Sequence, residues 1–276
     1  MSLKTILVHL ANDVEHRTRL KVALKLARQH DAKVFALFIP TPIGMPAGIT
    51  GRGASAMFLS EASRNAREVA DNLEKEFHEA CERDGIENAW LVIEGDHVEL
   101  MSEHAHTADI IIAAQPIIEH LEDHFRTRLP EELVMQSGLP VLVIPRGFDP
   151  ENQIGKKVVL AWKGTREAVR AIRDSMTILA SAEKVLVLTV GADAGDALSK
   201  LEVMEHLRRH GVNGEARNLA EIPDSVGKAI LDFAETQGCD LIVLGAYGHT
   251  RWRQILLGGV THEVLADSKI PLLMSH

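Results

Sequence analysis

Apolar positions along this chain fall into two alternating kinds of run. Residues 4–10 and 33–39 are short and nearly continuous, with Ile6, Leu7 and Val8 in the first and Val34, Phe35 and Leu37 in the second. They read as strands covered on both faces, because a strand with one wet face would alternate instead. Between them, residues 15–29 place Leu20, Ala23, Leu24 and Ala27 on one side of a 3.6-residue period, which predicts an amphipathic helix. The same succession of strand, helix and strand returns at residues 157–162, 166–179 and 184–190.

The two successions agree again downstream. Ala108, Asp109 and Ile110 are matched by Cys239, Asp240 and Leu241, and Gly138, Leu139 and Pro140 by Lys269, Ile270 and Pro271. Both matches are offset by 131 residues, so the last quarter of each copy aligns without a gap. Such agreement marks a duplicated unit. Each copy reads β-α-β-α-β-α-β-α-β, with its third strand at 89–94 or 214–218. Right-handed crossovers turn that order into a doubly wound sheet. The expected fold is therefore α/β, with two tandem doubly wound five-stranded parallel-sheet domains at 1–147 and 155–276. Residues 146–155 are polar and punctuated by Gly and Pro, as suits a linker. Residues 40–60, rich in Gly, Pro and Ala without periodicity, predict a long loop after the second strand.

Composition narrows the function. With 46% hydrophobic residues in 276, there is apolar material for two cores. A formal charge of −9 argues against a protein held to nucleic acid by its overall field, and 4% aromatics argue against a base-stacking platform. No apolar run reaches the length of about 18 residues that a membrane helix needs, and the first apolar run is too short for a signal peptide. Cys81 and Cys239 lie far apart with no metal-like spacing, which fits a reducing, cytoplasmic setting.

Candidate chemistry concentrates after the fourth strand of the second copy. Gly245 and Gly248 begin at the carboxyl end of that strand, where doubly wound sheets bind ligands. Gly258 and Gly259 follow and precede a helix expected over 260–266, whose free N–H groups form an anion site. Two glycine turns converging on one helix start make a phosphate cradle. The first copy has Ala114, Ile117 and Pro130 in the aligned segments; two β-carbons and a proline without N–H spoil the pattern there.

The stretch from Gly245 to Thr261, with G-x2-G-x9-G spacing ahead of the proline-led final strand at Pro271, resembles the nucleotide-binding signature of the universal stress protein family. With the repeat, the resemblance extends over both halves and identifies a tandem member. It implies ATP or ADP as ligand, with Mg as a companion ion. The phosphates would lie on Gly245, Gly248, Gly258, Gly259 and Val260, with His249 and Thr261 in the same loop. The adenosine end would lie near Ala161, Trp162, Lys163 and Val190. The family usually carries an acid where Lys163 stands and a Ser or Thr where Gly259 stands. Family members pair their final strands across a dimer. Strands 141–144 and 272–274 are accordingly expected to pair with each other about an internal pseudo-twofold axis, which also covers two exposed edges. Association of whole chains into a homodimer stays open.

Other signals carry less. Gly51, Gly53 and Ala56 match G-x-G-x-x-A but begin twelve residues after the strand, too late for a dinucleotide turn. His120 and His124, with His104 and His106 nearby in sequence, read as a solvated acidic surface more than as a metal site. Asp13, Glu15 and His16 suit a helix start. Glu263, the one acid near the cradle, is expected to face outward. No catalytic residue is assigned and no metal-ligand set is identified. Three readings follow: a cytoplasmic stress-response protein that binds nucleotide and acts through conformation or a protein partner; a slow ATPase or adenylyl-transfer enzyme on the same site; and a nucleotide-free scaffold.

Overall fold

A computed structural model describes residues 3–41, 52–116, 128–191, 195–220, 224–247 and 259–276. The first copy contains β1 (Thr5–Leu10), α1 (His16–His30), β2 (Lys33–Phe38), α2 (Arg52–Asp84), β3 (Asn88–Val92), α3 (His97–His104), β4 (Ile110–Ala114), α4 (Leu129–Gln136) and β5 (Val141–Ile144). The second contains β6 (Lys157–Ala161), α5 (Arg166–Ser181), β7 (Lys184–Val190), α6 (Gly195–Arg209), β8 (Gly214–Leu219), α7 (Val226–Thr236), β9 (Leu241–Gly245), α8 (Val260–Asp267) and β10 (Leu272–Ser275).

All ten strands join one sheet in the order β3-β2-β1-β4-β5-β10-β9-β6-β7-β8. Pairing is parallel within each copy and antiparallel at the β5–β10 seam, as the short apolar final strands imply. Leu142 faces Leu273 there, and the two are equivalent residues of the two copies. A pseudo-twofold axis therefore passes between them.

The continuous apolar strands are explained by the layers they separate. Ile6 and Val8 pack into one buried layer with Leu20 and Ala23 of α1 and Ile172 of α5. Leu7, between them, packs into the opposite layer with Met101 of α3, Leu133 of α4 and Val264 of α8. Alternate side chains of a central strand thus enter different cores, and neither face can be polar. The outer strands β3 and β8 are only partly buried, which is why their apolar signal was faint. Each copy also carries the same carboxylate clamp. Asp109 accepts from the Lys4 and Thr5 N–H groups, and its equivalent Asp240 from Gly155, Lys156 and Lys157.

One expectation is corrected. Residues 52–60 are helical, because α2 begins at Arg52 and runs for 33 residues. Ala54, Ala56, Met57, Leu59 and Glu61 favour helix, and Gly53 falls in the first turn, where it interrupts little. The G-x-G-x-x-A match therefore lies in a helix start for its described part. Residues 42–51 are outside the described set.

Candidate functional site

Parallel strands place their carboxyl ends on one side, and the order in each copy reverses at its first strand. In the second copy this puts a crevice between β6 and β9, the usual ligand position of a doubly wound sheet. Ala161 ends β6 and pairs with Leu188 of β7 and Leu244 of β9. Trp162 is buried, and its N–H donates to the Leu188 carbonyl at 2.8 Å. Lys163 projects to solvent and Val190 ends β7 half-buried. Residues proposed for the adenosine end thus stand on two adjacent strand ends.

The helix that follows β9 in the chain is α8, which packs against α7. Its N-cap is Gly259, in extended geometry with no side-chain cap, and a β-carbon there would meet nothing within 4 Å among the described residues. The first N–H groups of a helix have no intrahelical partner, so this uncapped end can accept an anion. Val260 is exposed beside it; Thr261 is buried, and its Oγ1 accepts from the Tyr247 N–H at 3.5 Å.

Gly245 proves to be glycine for a further reason. A β-carbon there would lie 2.4 Å from the Ala168 nitrogen and from the Glu167 carbonyl carbon. Its bare backbone admits the first turn of α5, whose N-cap Thr165 accepts from the Ala168 N–H. Gly248, His249 and Gly258 lie outside the described residues, as do His120 and His124. Of the residues expected at the site, Ala161, Trp162, Lys163, Val190, Gly245, Gly259, Val260 and Thr261 are described.

Glu263 does not face outward as expected. Its carboxylate accepts from the hydroxyl of Ser225, the N-cap of α7, and its side chain covers Gly227. It braces one helix against another, so it is not placed as a free base. Among the described residues, no group of three or more His, Cys, Asp or Glu side chains is disposed to hold a metal ion. Cys81 and Cys239 are buried, and burial pushes both thiols up to about 11, away from the reactive thiolate.

The equivalent crevice of the first copy is furnished differently. Arg19 of α1 is wholly buried; its Nε donates to the His9 carbonyl at 2.8 Å and its two terminal nitrogens to Asp13 at 3.0 and 2.6 Å. Burial alone would raise the Asp13 carboxyl, but the Arg19 charge and hydrogen bonds outweigh that and hold it below its ordinary value. His9, near the end of β1, has its Nε2 at 2.8 Å from His97 Nδ1. A paired charge and two imidazoles fill the carboxyl end of β1, where the second copy has Ala161 and an exposed Lys163. Sequence reading missed Arg19, His9 and His97. A histidine within an apolar strand run was the available signal.

The halves also meet through polar groups. Gln115, buried, donates from Nε2 to the carbonyls of Leu265, Ala266 and Ser268 at the end of α8, and its Oε1 accepts from Arg146. Glu131 of α4 lies 3.1 Å from His262 Nδ1 of α8.

A family model described as "Universal stress protein family" matches residues 156–276. Among curated proteins, "Universal stress protein Slr1230" of Synechocystis sp. is 29% identical over 147 residues, covering 52% of this chain and 49% of that protein. "Universal stress protein MJ0577" of Methanocaldococcus jannaschii is 42% identical over 45 residues, 16% of this chain and 28% of that protein. The chain thus spans about half the length of the first relative and just over a quarter of the second. A solved universal stress protein from Archaeoglobus fulgidus covers 98% of this chain and 95% of its own, with a TM-score of 0.75 at 18% identity, a likeness of fold across both copies.

Proposed function

Since this chain belongs to the universal stress protein family, through the domain at residues 156–276, we propose that it is a cytoplasmic stress-response protein that binds ATP or ADP in its second copy. Taking 1–147 and 155–276 as its two domains, the first serves as structural or regulatory partner to the second. The observation that carries the reading is the uncapped start of α8 at Gly259, on the helix that follows β9 at the switch point of the sheet. Phosphates would sit on the backbone donors of Gly259, Val260 and Thr261, and on Gly248, His249 and Gly258 by the motif. Adenosine would lie toward Ala161, Trp162, Lys163 and Val190. No membrane and no nucleic acid enters this reading; no described helix is long and apolar enough to cross a membrane.

Action through conformation or a protein partner is favoured over turnover by the placement of Glu263. A phosphoryl-transfer catalyst needs a base or a metal-binding carboxylate at the phosphates, and this acid is engaged with Ser225. Mass spectrometry of protein purified without added nucleotide tests the reading. Adenine nucleotide should accompany the wild-type chain and be missing from Gly258→Val, whose β-branch blocks the backbone approach. Nucleotide-free protein that also takes up none on addition of Mg-ATP would leave the scaffold reading in its place.

A further inference from the structure

Tyr247 is the last described residue before the glycine loop, and its backbone is unusual. Among the described non-glycine residues only Asp31 and Tyr247 have positive φ, 53° and 58°. Asp31 terminates α1, where a left-handed residue is ordinary and a short polar side chain tolerates it. Tyr247 has neither excuse. A bulky residue holds this conformation only where its surroundings impose it.

Those surroundings come from both copies. The Tyr247 hydroxyl is buried without a hydrogen bond of normal geometry, against the carboxylate of Glu131. Burial, and then that carboxylate's charge, push the phenol well above its ordinary range. The Glu131 side chain is itself 8% exposed and fixed from two sides, by Arg128 Nε at 3.2 Å and His262 Nδ1 at 3.1 Å. His262 follows Thr261, whose hydroxyl accepts from the Tyr247 N–H. The ring of contacts closes: Tyr247, Thr261, His262, Glu131.

Glu131 and His262 are equivalent positions of the two copies, 131 residues apart, meeting near the pseudo-twofold. Identical residues there would place two carboxylates or two imidazoles together; the duplication has instead diverged to an acceptor and a donor. The first copy likewise has Pro130 where the second has Thr261. We propose that Glu131, supplied by the first copy, is a positioning residue for the second copy's nucleotide site, holding Tyr247 in the backbone conformation from which the glycine loop departs. This rests on the nucleotide reading above. The degenerate half thereby has a role, since affinity in one half is set by a side chain of the other.

Tyr247 is the sole tyrosine, so full-length protein labelled with 3-fluorotyrosine gives one fluorine resonance that reports on this position. Glu131→Gln keeps the shape and removes the charge; Glu132→Gln, next on the helix, is the control. Glu131→Gln should move the resonance in nucleotide-free protein and weaken ATP binding about fivefold, the low end of the coupling between distinct sites. The thermal midpoint without nucleotide should stay close to that of the control, which separates positioning from general damage. Should Glu131→Gln fail to fold, His262→Ala, altering a half-exposed partner, carries the same comparison. An unmoved resonance, or ATP binding by the variant as tight as wild type, overturns the proposal alone. Wild-type protein that binds no ATP takes down the nucleotide reading, and this proposal with it.

Discussion

Leu142 of β5 stands directly opposite Leu273 of β10, its own counterpart from the other copy. Both side chains are buried, on strands whose edges would otherwise be open. The seam that makes one sheet of two is therefore a cross-strand pair of apolar residues, and its strength depends on both. Leu142→Ala and Leu273→Ala should each cost about 2–5 kcal/mol in urea unfolding. Because the residues are cross-strand neighbours, the double variant should depart from the sum of the singles by about 0.5 kcal/mol or more. Strict additivity would mean that the halves are stabilised independently of this seam.

Gly245 and Gly259 both belong to the candidate loop, yet they should respond oppositely to a side chain. Gly245→Ala drives a β-carbon to 2.4 Å from backbone atoms of α5, which cannot swing aside as a side-chain tip can. Overpacking of this kind costs about 1–3 kcal/mol, or more where backbone must move. Thermal unfolding of nucleotide-free Gly245→Ala should show it. A wild-type midpoint would contradict the close approach of α5 to β9.

Gly259→Ser meets no described residue within 4 Å at a helix N-cap. Nucleotide-free stability should rise by a few tenths of a kcal/mol, the usual difference between Ser and Gly at that position. Nucleotide binding should tighten by about 1 kcal/mol if the new hydroxyl meets a phosphate oxygen. Stability that rises while affinity does not would place the phosphates away from the start of α8.

Acid should weaken the fold through the first copy. Burial, the Arg19 charge and His97 hold His9 well below the ordinary imidazole value, with Asp13 opposing. Above about pH 6.5 neither the folded nor the unfolded chain protonates this ring, so stability is unaffected. Below it the unfolded chain takes up a proton that the folded chain refuses, and stability falls until the depressed folded value is reached. The loss is at most about 1.4 kcal/mol per pH unit from this one group. Asp13, depressed by Arg19, adds to the loss only at lower pH, as its folded value is approached. His9→Gln should flatten the dependence of the urea midpoint between about pH 6.5 and 5 relative to wild type. An equally steep variant would show that other groups carry it.

Most of the fold was legible because it is written twice. A strand such as 141–144 is too short to be convincing by itself, but Pro140 and Pro271 lead the same pattern at the same offset. The seam followed from edges that had to be covered. The start of α2 was not legible, since its helix-favouring residues follow directly on a Gly- and Pro-rich stretch that masks the boundary. The helix start at Gly259 and Val260 was legible from the glycine pair that precedes it. The structure was not legible where side chains from distant segments meet: Arg19 with Asp13, Ser225 with Glu263, and Glu131 with Tyr247 have no spacing that announces them. Gly245 shows the same limit. Its close contact with the first turn of α5 has no sequence signal either.

The central claim is that one half binds nucleotide and the other supports it. Calorimetric titration of the full chain with Mg-ATP tests this most directly. One site per chain is predicted, abolished by Gly258→Val and still present when Arg19 of the first copy is replaced by Lys. Two equivalent sites per chain, or a single site that survives Gly258→Val, would contradict it.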